Sequence, residues 1–290
     1  MTLQVKIDFF GDHRCSLGES PIWDAENVCL WWVDSTEARI CSATTDGRLR
    51  TEWRFNQKIG SIGLASGGLI AAMADGFYHV SGSSGEATLI ALLSDPPADM
   101  RLNDGKVDRV GRYLCGPTQM TETARGPIVQ LDARGNIRTI VEDIRITNSI
   151  CFSPDGSFVY LADSLDGVIR RYSYDNATGN LGEREDFIDV RQFGSASDGA
   201  TVDAQGNIWI ALVLDQAIAC VGSDGKLIAK FDVPIPYPSC PAIGGQDMDV
   251  LFVTSISNSG HKLVTNHPEG GRILAIRGHG MTGVNEQHYG

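Results

Sequence analysis

A turn that feeds a short apolar strand returns along this chain at a nearly constant interval. The residues opening these turns are Asp24 (DAEN), Ser66 (SGG), Asp108 (DRVG), Ser153 (SPDG), Asp203 (DAQG) and Gln246 (QDMD). They lie 42, 42, 45, 50 and 43 residues apart. A second turn recurs between them, at Asp46, Ser84, Arg134, Thr178 and Asp224. The strand segments include LWWVDS, GLIAAM, FVYLADS, NIWIALV and VLFVTSI. They are rich in β-branched and aromatic residues and bounded by turn chemistry, which is the strand signature. Helical periodicity is hard to find. One period therefore holds about four short strands and two tight turns, the pattern of a β-propeller blade. Six periods predict an all-β, six-bladed β-propeller with four antiparallel strands per blade. A sandwich of six hairpin pairs uses the same strands but leaves the even spacing unexplained. No linker or low-complexity stretch interrupts the pattern, so residues 1–290 read as a single domain. With 42% hydrophobic residues, a chain of this length can bury a large core.

The register also points to a site. Five residues before each turn stand Glu19, Ser61, Asn103, Asn148, Asp198 and Pro241. In a propeller the first strand of each blade lies innermost, so one shared register becomes one ring around the central channel. Glu19, Asn103, Asn148 and Asp198 are expected to converge at one mouth of that channel. Two carboxylates brought together must share a proton or a cation. Glu19 and Asp198 would supply two negative charges, and Asn148 a neutral carbonyl oxygen. That hard, all-oxygen set suits calcium, magnesium or manganese and tolerates zinc. Any single Asp or Asn at such a place could simply bond a turn backbone; four in one register favour a site.

Composition narrows the partners. A net charge of −12 argues against nucleic acid and against an anionic membrane surface. No segment reads as a signal peptide or a membrane span. The seven cysteines (Cys15, Cys29, Cys41, Cys115, Cys151, Cys220 and Cys240) are odd in number, dispersed and without a CxxC. That pattern predicts buried thiols in a reducing cytoplasm rather than a disulfide framework.

Four segments carry a family resemblance: LGESPIWD at 17–24, RLNDGKVDRVGRYLCG at 101–116, TNSICFSPDGSFVYLADS at 147–164 and SDGATVDAQGNIWIA at 197–211. YPSCPAIGGQDMDVLFVTS at 237–255 and PEGGRIL at 268–274 extend it in colinear order. Together they resemble the gluconolactonase, regucalcin (senescence marker protein) and luciferin-regenerating enzyme family. The resemblance implies a six-bladed propeller with one divalent cation (Ca, Zn, Mn, Mg or Fe) at the central channel. It implies metal ligands at Glu19, Asn148 and Asp198, substrate contacts at Arg101 and Asn103, and Asp198 as general base. It further implies hydrolysis of sugar lactones. Two positions depart from the family pattern. The segment 117–125 replaces the family's usual loop, so no substrate contact transfers to Glu122, and Ile243 stands where the family has phenylalanine.

The chemistry suits the ring. A cation can polarise the lactone carbonyl and lower the pKa of water, and Asp198 can accept the proton. No GxSxG elbow is present, and lactones need no covalent nucleophile. Arg101 and Asn103 can orient substrate oxygens. Two other functions fit the same residues: a non-catalytic calcium-binding propeller, and a hydrolase of another ester such as an organophosphate. A GxGxxG string, Gly278 to Gly283, has no helix to open and is not read as a nucleotide site. His79, His261, His267, His279 and His288 are expected in solvated loops, Trp31, Trp32 and Trp209 in the core, and Asp34 and Asp163 in structural roles.

Overall fold

The turn residues do the work that their spacing suggests. The carboxylate of Asp203 accepts the backbone N–H groups of Gln205 (3.0 Å) and Asn207 (2.9 Å). Asp108 holds Val110 and Arg112 in the same way, each at 2.9 Å. A carboxylate that ties down two amides ahead of it makes a tight turn without help from the rest of the fold. Gly206, with φ 83°, supplies the left-handed residue that such a turn needs.

A computed structural model describes residues 5–94, 100–119 and 121–290. Its strands form six antiparallel sheets of four, one of which gains a short fifth strand. The fold is the expected six-bladed β-propeller. The innermost strands are Gly18–Asp24, Ile59–Ala65, Met100–Val107, Thr147–Phe152, Ser197–Val202 and Pro238–Gly244. Each packs on the next and the last packs on the first, closing a ring. We number the blades 1 to 6 by these strands.

Burial falls from the axis outward. The second strands, such as Cys29–Asp34 and Ile208–Leu212, are buried throughout and read as continuous apolar runs. The outer strands, such as Leu49–Arg54, alternate toward solvent. The core is distributed between neighbouring blades rather than centred. Ile22, Val33 and Ile40 of blade 1 meet Ile59, Ile62 and Leu64 of blade 2, for instance. Trp32 lies between blades 6 and 1, Trp31 between blades 1 and 2, and Trp209 between blades 5 and 6. All seven cysteines are buried and free. No helix among the described residues is long and apolar enough to cross a membrane.

Two terminal segments were not foreseen. Residues Lys6–Arg14 form a strand that pairs antiparallel with Arg272–Arg277, from Lys6 opposite Arg277 to Arg14 opposite Arg272. Blade 6 is thus three strands from the end of the chain and one from its beginning. The C-terminal segment crosses the end of the channel away from the ring residues. The Ala204 N–H donates to the Thr282 carbonyl (2.8 Å) and the Gly283 N–H to that of Met248 (2.7 Å). Glu286 pairs with Lys106, which points into the channel from blade 3. His288 and Tyr289 then run parallel to Leu64 and Ala65 of blade 2.

The histidine expectation needs correction. His279 is 1% exposed and packs edge-on against Trp209, with ring centroids 5.2 Å apart. Its burial lowers the imidazole pKa, against the opposing pull of Asp249 and Asp203. His79 and His288 lie in strands, not loops. A lone histidine carries no periodic signal, so the tail that buries His279 had to be known first.

Candidate active site at the channel mouth

Every innermost strand breaks register near its ring position. The breaks fall between Glu19 and Ile22, Ile59 and Ser61, Leu102 and Gly105, Asn148 and Cys151, Ser197 and Ala200, and Pro238 and Pro241. A bulge at a strand end re-aims the side chain beside it. Ser20 (φ 49°) and Ser149 (φ 59°) take the left-handed conformation directly after Glu19 and Asn148. In blade 5 the residue after Asp198 is Gly199, and a Cβ there would lie 2.3 Å from the Cys240 sulfur. Only glycine fits that approach.

The bulges bring four of the six ring residues together. Asn103 donates from Nδ2 to the Thr147 carbonyl (2.9 Å) and to Asn148 Oδ1 (3.3 Å). Arg101 donates from Nη1 to Asn103 Oδ1 (3.1 Å) and to the Leu102 carbonyl (2.8 Å). Glu19 and Asp198 lie within each other's field: burial first, then Asp198 and Asp104, push the Glu19 carboxyl well above the carboxylate range, while Arg101 opposes. Burial, then Asp104, push Asp198 upward as well. The remaining two positions do not join this chemistry. Ser61 is fully buried and accepts the Tyr113 hydroxyl (2.9 Å), and Pro241 contributes no polar side chain.

Asp104 was missed from the sequence. It follows Asn103 directly, and strict strand alternation would send the two to opposite faces. The bulge between Leu102 and Gly105 cancels that alternation. Asp104 Oδ2 accepts the Ile150 N–H (2.9 Å), and burial raises its carboxyl to about 6. Arg101 is buried enough that its guanidinium falls to about 10. Asp34 and Asp163 have the structural role expected. Asp34 accepts the N–H groups of Ser16 (3.0 Å) and Leu17 (3.1 Å) just ahead of Glu19, and Asp163 accepts that of Arg145 (3.1 Å) ahead of Asn148. Glu122 is exposed in the segment that departs from the family pattern, of which Met120 lies outside the described residues. Ile243 is buried and sits against Gly283 of the tail.

The donor set matches a hard cation. Two carboxylates crowd each other in a desolvated place, and a carboxamide oxygen stands beside them. Among the described residues no three His, Cys, Asp or Glu side chains gather as a metal cluster, so the set depends on that carboxamide.

The profile of the SMP-30/gluconolactonase/LRE-like family matches residues 17–257. The chain belongs to this family. A pentonolactonase of Haloferax volcanii is 30% identical over 249 residues, covering 86% of this chain and 84% of its own. A 6-deoxy-6-sulfogluconolactonase of Pseudomonas putida is 28% identical over 266 residues, with 90% and 91% covered. The crystal structure of regucalcin from Agrobacterium tumefaciens, described as a calcium-binding protein, superposes with a TM-score of 0.89 at 28% identity and covers 97% of this chain and 96% of its own. The family span holds all the ring residues. It leaves out the closing strand at Lys6–Arg14 and the C-terminal tail.

Proposed function

We propose that the protein is a cation-dependent lactonase that opens sugar lactones to aldonic acids. The observation that carries this reading is the crowding of the half-buried Glu19 and buried Asp198 carboxylates beside Asn148, with Arg101 and Asn103 at the same mouth. The lactonase relatives support the reaction class, and the regucalcin structure supports a cation.

Glu19, Asn148 and Asp198 would hold the cation. When bound, it supplies Lewis acidity to the lactone carbonyl and lowers the pKa of nearby water. Asp198 takes a proton from the attacking water as its oxygen bonds to the carbonyl carbon. The ring C–O bond then breaks, and the proton passes to the departing ring oxygen. Arg101 orients the substrate through the guanidinium donors left over from its bonds to Leu102 and Asn103, and Asn103 holds Arg101 in place. No covalent nucleophile is needed, because a lactone is already an activated ester.

The test is proton release from a panel of aldonolactones in weak buffer at mildly acidic pH, where spontaneous opening is slow. At least one lactone should turn over well above background, with the rate abolished by a chelator and strongly reduced in Arg101→Ala. A folded, cation-loaded protein that opens none of them favours the second reading, a calcium-binding propeller without catalysis, for which the regucalcin likeness speaks.

A further inference from the structure

Beyond the ring itself, one hydroxyl outside it determines which way a ring residue faces. Ser164 follows the second strand of blade 4, and its hydroxyl lies between blades 4 and 5. Asn148 Nδ2 donates to Ser164 Oγ (2.8 Å), and Ser164 Oγ donates to the Ser197 carbonyl (2.9 Å). A hydroxyl has one proton. With that proton committed to Ser197, the oxygen can only accept, so the amide end of Asn148 must face it. The carbonyl end, Oδ1, is thereby turned toward Asn103 and the mouth. The other end of the chain of bonds agrees. Arg101 has only donors, so Asn103 must show it Oδ1 and show Nδ2 to Asn148. From Arg101 through Asn103, Asn148 and Ser164 to Ser197, every bond runs in the same direction.

The molecule also contains its own control. Blade 1 repeats the arrangement, with Asp34–Ser35 in place of Asp163–Ser164. The Ser35 N–H donates to the Leu17 carbonyl and that of Ser164 to the Ile146 carbonyl, both at 2.9 Å. Leu17 and Ile146 each stand two residues before a ring position. Yet Ser35 Oγ is buried with no hydrogen-bond partner among the described residues. The ring residue there is Glu19, whose two equivalent oxygens need no such orientation.

We propose that Ser164 is a positioning residue that locks the Asn148 carboxamide with Oδ1 toward the cation site, tying it to the peptide that carries Asp198. The inference rests on the cation reading above but predicts a separate observable. Its test uses Mn²⁺ as the probe, with calorimetric titration of the full chain, and compares Ser164→Ala, Ser164→Thr and Ser35→Ala. Supporting groups of metal ligands typically contribute 10–100-fold in affinity. Ser164→Ala should therefore weaken Mn²⁺ binding by about tenfold or more. Ser164→Thr, which keeps the hydroxyl at a partly exposed position, should restore it, and Ser35→Ala should change nothing. A second measurement needs no metal. In the cation-free protein the Asn148 side-chain amide protons should exchange with solvent faster in Ser164→Ala than in wild type. Unchanged amide exchange, or equal loss of Mn²⁺ affinity in Ser164→Ala and Ser35→Ala, overturns the proposal. If wild type binds no Mn²⁺, the cation reading fails, and the amide measurement alone decides whether Ser164 orients Asn148.

Discussion

In the proposed mechanism Asp198 is both cation ligand and general base, and a single-atom change separates the two roles. Asp198→Asn keeps a ligand oxygen but removes the basic carboxylate. Turnover should fall about 10²–10⁴-fold while part of the Mn²⁺ stoichiometry survives, whereas Asp198→Ala should lose both. Metal analysis beside a proton-release assay checks this; near-wild-type turnover in the metal-loaded Asn variant would take the base role from Asp198. Residues at this scale were legible when register carried them. Glu19, Asn103, Asn148 and Asp198 share one offset from the turns, and the structure gathers all four. Asp104 and Ser164 were not legible. One is brought round by a bulge, and the other matters only through which atoms its hydroxyl has left to offer.

At the scale of strands and turns, the bulges shape the site, and their tolerance can be measured. Gly199→Ala would press a methyl group against Cys240. Overpacking of this kind costs roughly 1–3 kcal/mol, read as a lower urea midpoint. Adding Cys240→Ala should recover only part of it, because the Cys240 Cβ and Cα are also close, at 2.7 and 2.9 Å. The tail segment around His279 gives a pH signature. Burial holds the folded His279 below its usual pKa of about 6.5, so below that pH the unfolded chain binds the proton more readily. The stability that neutral His279 contributes is present above about pH 6.5 and is lost as pH falls toward the folded pKa. The melting temperature of wild type should therefore drop more steeply than that of His279→Phe as pH is lowered through this range; parallel curves would remove His279 as the cause. The blades were readable because each carries its own tight turns and apolar second strand. Lys6–Arg14 was not, because its mixed pattern makes sense only beside Arg272–Arg277, at the far end of the chain.

On the scale of the whole propeller, the two ends of the channel differ: the ring residues stand at one. The tail crosses the other, leaving a void of about 10 Å³ lined by Lys106, Cys151, Ile243, Val284 and Glu286, among others, enough for about one water. Removing residues 284–290 should open this end. Cys151 should then react with a small thiol reagent while Cys220, buried between blades 5 and 6, stays protected, as mass mapping of the label would show. Equal protection of the two thiols would mean that something other than the tail seals the channel. The closing strand has a consequence in time rather than space. Lys6 leaves the ribosome long before Arg277, its partner. At about 5–20 residues per second the wait is roughly 14–54 s. During that interval Lys6–Arg14 is an unpaired edge, the kind of segment that seeks other strands. A nascent chain halted before Arg272 would carry five complete blades and a sixth of only two strands, with Lys6–Arg14 still unpaired.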